Sequence, residues 1–290
     1  MKLIKTQLFF IDGYIIEIRD FLWAVKNTLH PFFLSLSEFK RIRKNLEFSL
    51  NTHLNRALMK DVFGTAILDY QEGNHTEDLV TSTSISEEDP LPLPYLFRDF
   101  PEMPSLEQTA LNLSKGSVLD VGCGAGSHSL YLVSKGLNVK SIDISEGAIK
   151  ACQLRGLKNA HVLDVMKETA SFDTLLLLMN GSGIFQSLAH TPLVLSHLKT
   201  LLNPEGQILI DSSDIKYMYQ DEDGGYWMDT NKDYYGELDY TVRYKGIEDT
   251  FSWMYLDFEH LKIACSQVGL KCELVEEGPH FDFLAKITVD

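Results

Sequence analysis

The chain has 290 residues, 44% apolar and 23% charged, enough for one large domain with appendages and a sizeable core. Forty-one acidic side chains against 26 basic ones leave a formal charge of −15, which disfavours a nucleic-acid binder because no cationic field exists to hold a phosphate backbone. Cys123, Cys152, Cys265 and Cys272 form no CxxC pair and the histidines show no zinc spacing, so reduced thiols, a cytoplasmic location and no metal are expected. No apolar run reaches the roughly 18 residues of a membrane span, and Leu8 to Ile18 is interrupted by Asp12 and Glu17, so neither a span nor a signal peptide is expected.

Residues 1–58 carry nine Lys or Arg against five Asp or Glu, whereas residues 59–290 carry 17 against 36. This shift places a boundary near Met59. In the basic part, Phe39, Ile42, Leu46, Leu50, Leu54 and Leu58 recur at helical steps after a Ser35-x-x-Glu38 capping box, which predicts an amphipathic appendage. It reads as a docking arm, as a packing helix, or as a stretch upstream of a true start at Met59. Residues 59–112 form a lead-in. Its part from Gln71 to Pro104 is rich in Ser and Thr, then in Pro, and is expected to be extended and irregular, with Leu93 to Arg98 able to fold over the open crevice as a lid. Ser105 to Leu113 returns to helical spacing.

Residues 113–290 alternate strand and helix. Strands are predicted at Ser117–Val121, Asn138–Ile142, Ala160–Leu163, Thr174–Met179, Gln207–Asp211, Leu270–Val275 and Phe283–Val289, and helices at His128–Lys135, Glu146–Arg155, Thr191–Leu202 and Phe258–Val268. The near-continuous apolar runs Leu175–Met179 and Ile208–Ile210 suit strands covered on both faces. The fold class is therefore α/β, doubly wound.

Where the first of these strands meets its helix stands Val121-Gly122-Cys123-Gly124-Ala125-Gly126. Glycines there let backbone pass close to a ligand in conformations a β-carbon forbids. The third glycine comes one residue early for the dinucleotide fingerprint, and Ser127 stands where that fingerprint wants Gly or Ala. Asp143 ends the next strand, placed to accept bonds from two ribose hydroxyls. Asp120, just before the glycines, would repel a pyrophosphate and attract an ammonium or sulfonium. A cationic, nucleoside-containing ligand is expected. Cys123 reads as a small filler of the loop and His128 as an exposed first-turn residue.

On these residues the sequence resembles the class I, Rossmann-like methyltransferases that use S-adenosyl-L-methionine (SAM). The resemblance spans roughly residues 105–290 and implies a seven-stranded, mostly parallel sheet whose last strand is antiparallel. It implies cofactor contacts from Asp120, Gly122, Cys123, Gly124, Gly126, Asp143 and its neighbour Ile144, and from Asp164 and Val165 at the adenine. Asn180, after the fourth strand, would lie beneath the transferable methyl with its amide free to orient an acceptor. The stretch Met179-Asn180-Gly181-Ser182-Gly183-Ile184-Phe185 lacks the two prolines of members that methylate base amines or glutamine amides, which removes support for those acceptors. Arg98, in the lead-in, is placed to pair with the cofactor's carboxylate.

Residues 214–256 form an insertion with eleven aromatic, ten acidic and four basic residues, including a predicted β-hairpin across Gly246. Tyr217, Tyr219 and Trp227 are the candidate substrate contacts, in a lining suited to a cationic or aromatic small molecule. The expectation is a SAM-dependent methyltransferase acting on a small molecule by in-line displacement, with neither nucleic acid nor membrane as partner. A nicotinamide-dependent oxidoreductase and a non-catalytic SAM-binding protein remain the alternatives.

Overall fold

The computed structural model describes residues 8–11, 14–17, 60–221, 223, 225–226 and 233–290. The chain divides into two units, Met1–Met59 and Lys60–Asp290. Of the first, the described residues form one antiparallel pair, β1 (Leu8–Ile11) with β2 (Tyr14–Glu17). The predicted helix from Phe39 to Leu58 lies outside the described residues.

The second unit opens with α1 (Val62–Glu72), β3 (Leu79–Thr83), β4 (Ser86–Leu91) and the single turn α2 (Leu93–Leu96), followed by α3 (Ser105–Leu113). Then come β5 (Ser117–Val121), α4 (Ser127–Ser134), β6 (Asn138–Asp143), α5 (Glu146–Leu154), β7 (Ala160–Val162) and β8 (Phe172–Leu177). The chain closes with α6 (Thr191–Thr200), β9 (Leu202–Ser213), β10 (Glu237–Tyr244), β11 (Ile247–Met254), α7 (Phe258–Gln267), β12 (Leu270–Glu277) and β13 (Asp282–Val289).

Seven strands form one sheet in the order β12-β13-β9-β8-β5-β6-β7, with β5 to β9 parallel and β13 antiparallel between β9 and β12. The order reverses at β5 and β8, where open α/β sheets carry their ligand crevice. Alternate residues of the central strands supply the two faces. Leu119, Leu175, Leu177, Ile208 and Ile210 join the layer containing Val194, Leu198, Leu261 and Ala264, while Val118, Leu176, Leu178 and Leu209 join the layer containing Leu106, Ala110 and Leu132. Each fully buried Leu or Ile contributes about 1.5–3 kcal/mol, so this double coverage is what makes the parallel arrangement stable.

The lead-in departs from the expected irregular segment. β3 pairs with β4 and with β10, giving a four-stranded antiparallel sheet β11-β10-β3-β4 that joins the lead-in to the insertion's hairpin. The Ser and Thr that suggested a loop sit mostly half-buried along β3, where β-branched residues suit the pleat, and Pro90 lies on the edge strand, where its missing N–H costs no ladder bond. The hairpin turn falls at Lys245-Gly246, both left-handed at φ 48° and 72°. The α1 helix is seated through Asp61, whose carboxylate accepts from Gly64 N at 3.1 Å and from Gly147 N of α5 at 3.0 Å.

Candidate cofactor and methyl-transfer site

Gly122, Gly124 and Gly126 adopt φ of 71°, 51° and 82°, so the turn from β5 into α4 needs all three glycines. The amides of Gly122 and Cys123 donate to Ile142 O at 2.9 and 3.1 Å, tying the loop to the end of β6. Gly124 N donates to Asp143 Oδ2 at 3.0 Å and Ser145 N to Asp143 Oδ1 at 2.9 Å, so the strand-end acid shapes the loop and the start of α5 together. Burial pushes the Asp143 carboxyl up, against the pull of these amides. The glycines differ in what surrounds them. A β-carbon at Gly122 or Gly124 would meet nothing within 4 Å, whereas one at Gly126 would stand 2.6 Å from Leu157 Cδ1 and 2.8 Å from Cys152 Sγ. Two glycines border open space and the third is packed against protein. Cys123 fills the loop from below, its sulfur 3.8 Å from that of Cys152, and burial helps push its thiol far up, so it is no nucleophile.

Asp120 is buried and accepts Ser129 Oγ at 2.6 Å; burial raises its carboxyl. Nearby lies a buried charge cluster that the sequence did not announce. Arg98 donates through Nη2 to Glu107 Oε1 and through Nη1 to Tyr95 O, while His128 Nε2 lies 2.7 Å from Glu107 Oε2. Arg98, Glu107 and His128 are 6%, 4% and 8% exposed, which corrects the expectation of an exposed His128. The correction has a simple cause: the first turn of α4 faces α3, whose Glu107 needs a donor. Burial would raise the Glu107 carboxyl, but His128 and Arg98 outweigh it and hold it below the usual value. Arg98 stacks its guanidinium 3.9 Å above the Tyr95 ring, and its buried Nε has no hydrogen-bond partner among the described residues.

At the end of β8 the chain turns through Met179 and Asn180, both left-handed at φ 63° and 59°. Consecutive non-glycine residues of this kind cost about 1–3 kcal/mol each and persist only when their surroundings dictate them. Here Asp211 of β9 accepts Met179 N at 3.0 Å through Oδ2 and Gly181 N at 2.9 Å through Oδ1. Asn180 Nδ2 donates to Met254 O at 3.0 Å, and its Oδ1 accepts the hydroxyls of Ser182 and Ser212, each at 3.2 Å. That amide was expected to be free for an acceptor; it is engaged in joining β8, β9 and β11 instead. The ring of Trp253 lies over Gly183, where a β-carbon would come within 2.1 Å of Cε2.

The remaining candidates are spread along the cleft's rim. Ile144 is 45% exposed after β6; Asp164 Oδ1 accepts Met166 N at 3.0 Å, and Val165 is buried beside it. Tyr217 is 46% exposed and stacks on Phe281 with centroids 4.9 Å apart. The Tyr219 hydroxyl donates to Tyr235 O at 2.7 Å, so this side chain braces the insertion. Trp227 lies outside the described residues. Sequence reasoning missed Glu107 and Asp211. Glu107 carried no signal, but Asp211 did: like Asp120 and Asp143 it follows an apolar run near the carboxyl end of a strand.

A parallel sheet of this order, a glycine loop after its first central strand and an acid after the second define a Rossmann-like methyltransferase fold. The sequence profile of the methyltransferase-domain family matches residues 112–251. A SAM-dependent methyltransferase from Bacteroides fragilis, solved in complex with S-adenosyl-L-homocysteine, is 43% identical, and the match covers 79% of this chain and 95% of that one with a TM-score of 0.74. Two curated relatives match more locally. The ubiquinone biosynthesis O-methyltransferases of Nitrosomonas europaea and Leptothrix cholodnii are 39% and 36% identical over 57 and 66 residues, 20% and 23% of this chain. The chain thus spans only 24% and 28% of the length of those two proteins. This chain belongs to the SAM-dependent methyltransferases.

Proposed function

We propose that the crevice at the carboxyl ends of β5 to β8 holds SAM and delivers its methyl group to a small-molecule acceptor. Gly122 and Gly124 would take the cofactor against bare backbone, and Asp143 would receive the ribose hydroxyls on the lone pairs its two amide donors leave over. Ile144 and Val165 would flank the adenine, with Asp164 at its amino group. Asp120 offers negative charge to the cationic part of the ligand, and the unpartnered Nε of Arg98 suits its carboxylate. The cofactor, when bound, supplies an electrophilic methyl, so the chain's own task is alignment and the exclusion of water.

The observation that carries this reading is the open space where β-carbons of Gly122 and Gly124 would stand. The acceptor side is supported by the exposed Tyr217–Phe281 stack beyond β9 and by the aromatic inner face of the four-stranded sheet, where Tyr240 contacts Phe251 and Trp253. A formal charge of −15 disfavours a nucleic-acid acceptor. Calorimetry with SAM, S-adenosyl-L-homocysteine and NAD side by side tests the cofactor assignment: the first two bind and NAD does not. Release of S-adenosyl-L-homocysteine against pooled metabolites, followed by mass spectrometry, tests the acceptor class. Binding of NAD with no response to SAM would overturn both.

A further inference from the structure

Asp211 has no role in the contacts just assigned, yet it is placed where the chemistry would occur. The register pairs Leu177, which closes β8, with Ile210 of β9, so Asp211 stands one residue further on, level with Leu178 where the chain leaves the strand. Asp211 alternates with Leu209, and Asp120 with Val118; both leucine and valine belong to the same core layer, so the two acids rise from one face of the sheet on either side of β8. We propose that Asp211 is a positioning residue for the reactive end of the cofactor: it fixes the left-handed turn after β8 and makes the site prefer the charged sulfonium of SAM over the neutral thioether of S-adenosyl-L-homocysteine, resting on the reading above that this turn borders the transferable methyl.

The geometry requires a carboxylate. Met179 N and Gly181 N donate to different oxygens, at 3.0 and 2.9 Å, so both oxygens must accept. A protonated acid or an amide would turn a donor toward one of those N–H groups and lose that bond. The turn's other side is already held by Asn180 and Ser182 on Met254 O, so loss of the Asp211 clamp would release one edge of a strained turn while the other stays tethered.

The charges around Asp211 point the same way. Glu107 of α3 and His128 of α4 act on it, Tyr95 of α2 feels both Asp211 and Asp282 of β13, and Asp120 of β5 shares its face. Arg98 and His128 of this group are both bound to Glu107. Among the described residues neither Asp120 nor Asp211 takes part in an ion pair, so a cation entering between β5 and β9 meets two acids with no fixed counter-ion. Burial has pushed Asp211 up to about 7, with the charge of Glu107 adding to the rise, so the clamp and its charge weaken together in mildly acidic solution.

The test compares the full-length wild type with Asp211→Asn and Asp211→Glu, by calorimetry with SAM and with S-adenosyl-L-homocysteine at pH 6 and pH 8. At pH 8 the asparagine variant should lose about fivefold or more of its preference for SAM over the product, the effect of one charge removed across a solvated cleft. The wild-type preference should rise from pH 6 to pH 8, that of Asp211→Asn should stay flat, and Asp211→Glu, which keeps the charge, should keep most of it. Hydrogen exchange at Met179 N and Gly181 N should quicken in Asp211→Asn. Unchanged preference and unchanged exchange in a variant that still binds SAM overturn the inference; a wild type that binds neither ligand overturns the cofactor site instead. Should the variants not fold, the unliganded wild type decides by hydrogen exchange at pH 8: the Met179 and Gly181 amides should be protected far beyond those of an open loop, and exchange at the rate of an exposed loop refutes the clamp.

Discussion

Replacing Gly122 and Gly126 separately by alanine should split ligand binding from stability, although both glycines lie in one loop. At Gly122 the new β-carbon meets no protein atom, so the cost to folding is the left-handed backbone alone, about 1–2 kcal/mol. For a unit the size of Lys60–Asp290 that lowers Tm by about 2–8 °C. At Gly126 the same strain is joined by contacts of 2.6 Å with Leu157 Cδ1 and 2.8 Å with Cys152 Sγ. Overpacking of this kind adds about 1–3 kcal/mol, for a total of about 2–5 kcal/mol and a Tm loss of about 4–20 °C. Binding should follow the opposite order. Gly122→Ala places a methyl group in the space assigned to the cofactor and should weaken SAM at least about tenfold, or about 1.4 kcal/mol, while folded Gly126→Ala should bind nearly as well as wild type. Differential scanning fluorimetry and calorimetry on the same samples give both numbers. A folded Gly122→Ala protein that binds SAM within about twofold of wild type would refute the assignment of that space, since a methyl group there would then touch no ligand.

Three further outcomes are expected. Glu107→Ala leaves Arg98 and His128 buried without their shared partner and should cost about 3–5 kcal/mol; a thermal melt matching wild type would show that water already satisfies these side chains. Gly183→Ala should displace the Trp253 ring, shifting its fluorescence and costing about 1–3 kcal/mol, and adding Trp253→Leu should recover more than half the loss; no recovery would mean that the ring is not what blocks the methyl. Two acids should act oppositely on stability as pH changes. The lowered carboxyl of Glu107 stabilises the fold above its unfolded value near 4.5, and that contribution is lost as pH falls through its lower folded value. Asp211 is raised, so its contribution is complete below its unfolded value near 3.8 and is lost as pH rises through about 7. Tm measured from pH 3 to pH 8 should therefore fall at both ends, and Asp211→Asn should flatten only the alkaline side.

Much of the fold was legible because it repeats local patterns. Six of the seven strands of the main sheet lay within two residues of their predicted bounds, since apolar runs bounded by Gly, Asp and Asn are short-range signals; the seventh, β9, begins at Leu202, five residues before the predicted Gln207. The hairpin from Glu237 to Met254 announced itself by alternating aromatics and Lys245-Gly246. Its partner β3 did not, because Leu79–Thr83 holds one fully buried residue and its polar side chains give no alternation; it becomes a strand by pairing with β10, more than 150 residues away.

The candidate site divides in the same way. The chain order of Asp120, the three glycines, Asp143 and Asp164 is enough to place the proposed cofactor crevice, because each stands at or near a strand end and is positioned by its immediate neighbours. What Asn180, His128, Glu107 and Asp211 do depends on partners from other elements: Met254 O takes the amide of Asn180, Glu107 on α3 takes the ring of His128, and the amides after β8 take the carboxylate of Asp211. A side chain's hydrogen bonds are chosen by whatever packing brings within about 3 Å, and that distance has no counterpart in sequence separation. Local spacing therefore determined where the proposed ligand crevice lies, while only the tertiary structure decided which polar groups are spent on holding the chain in shape there.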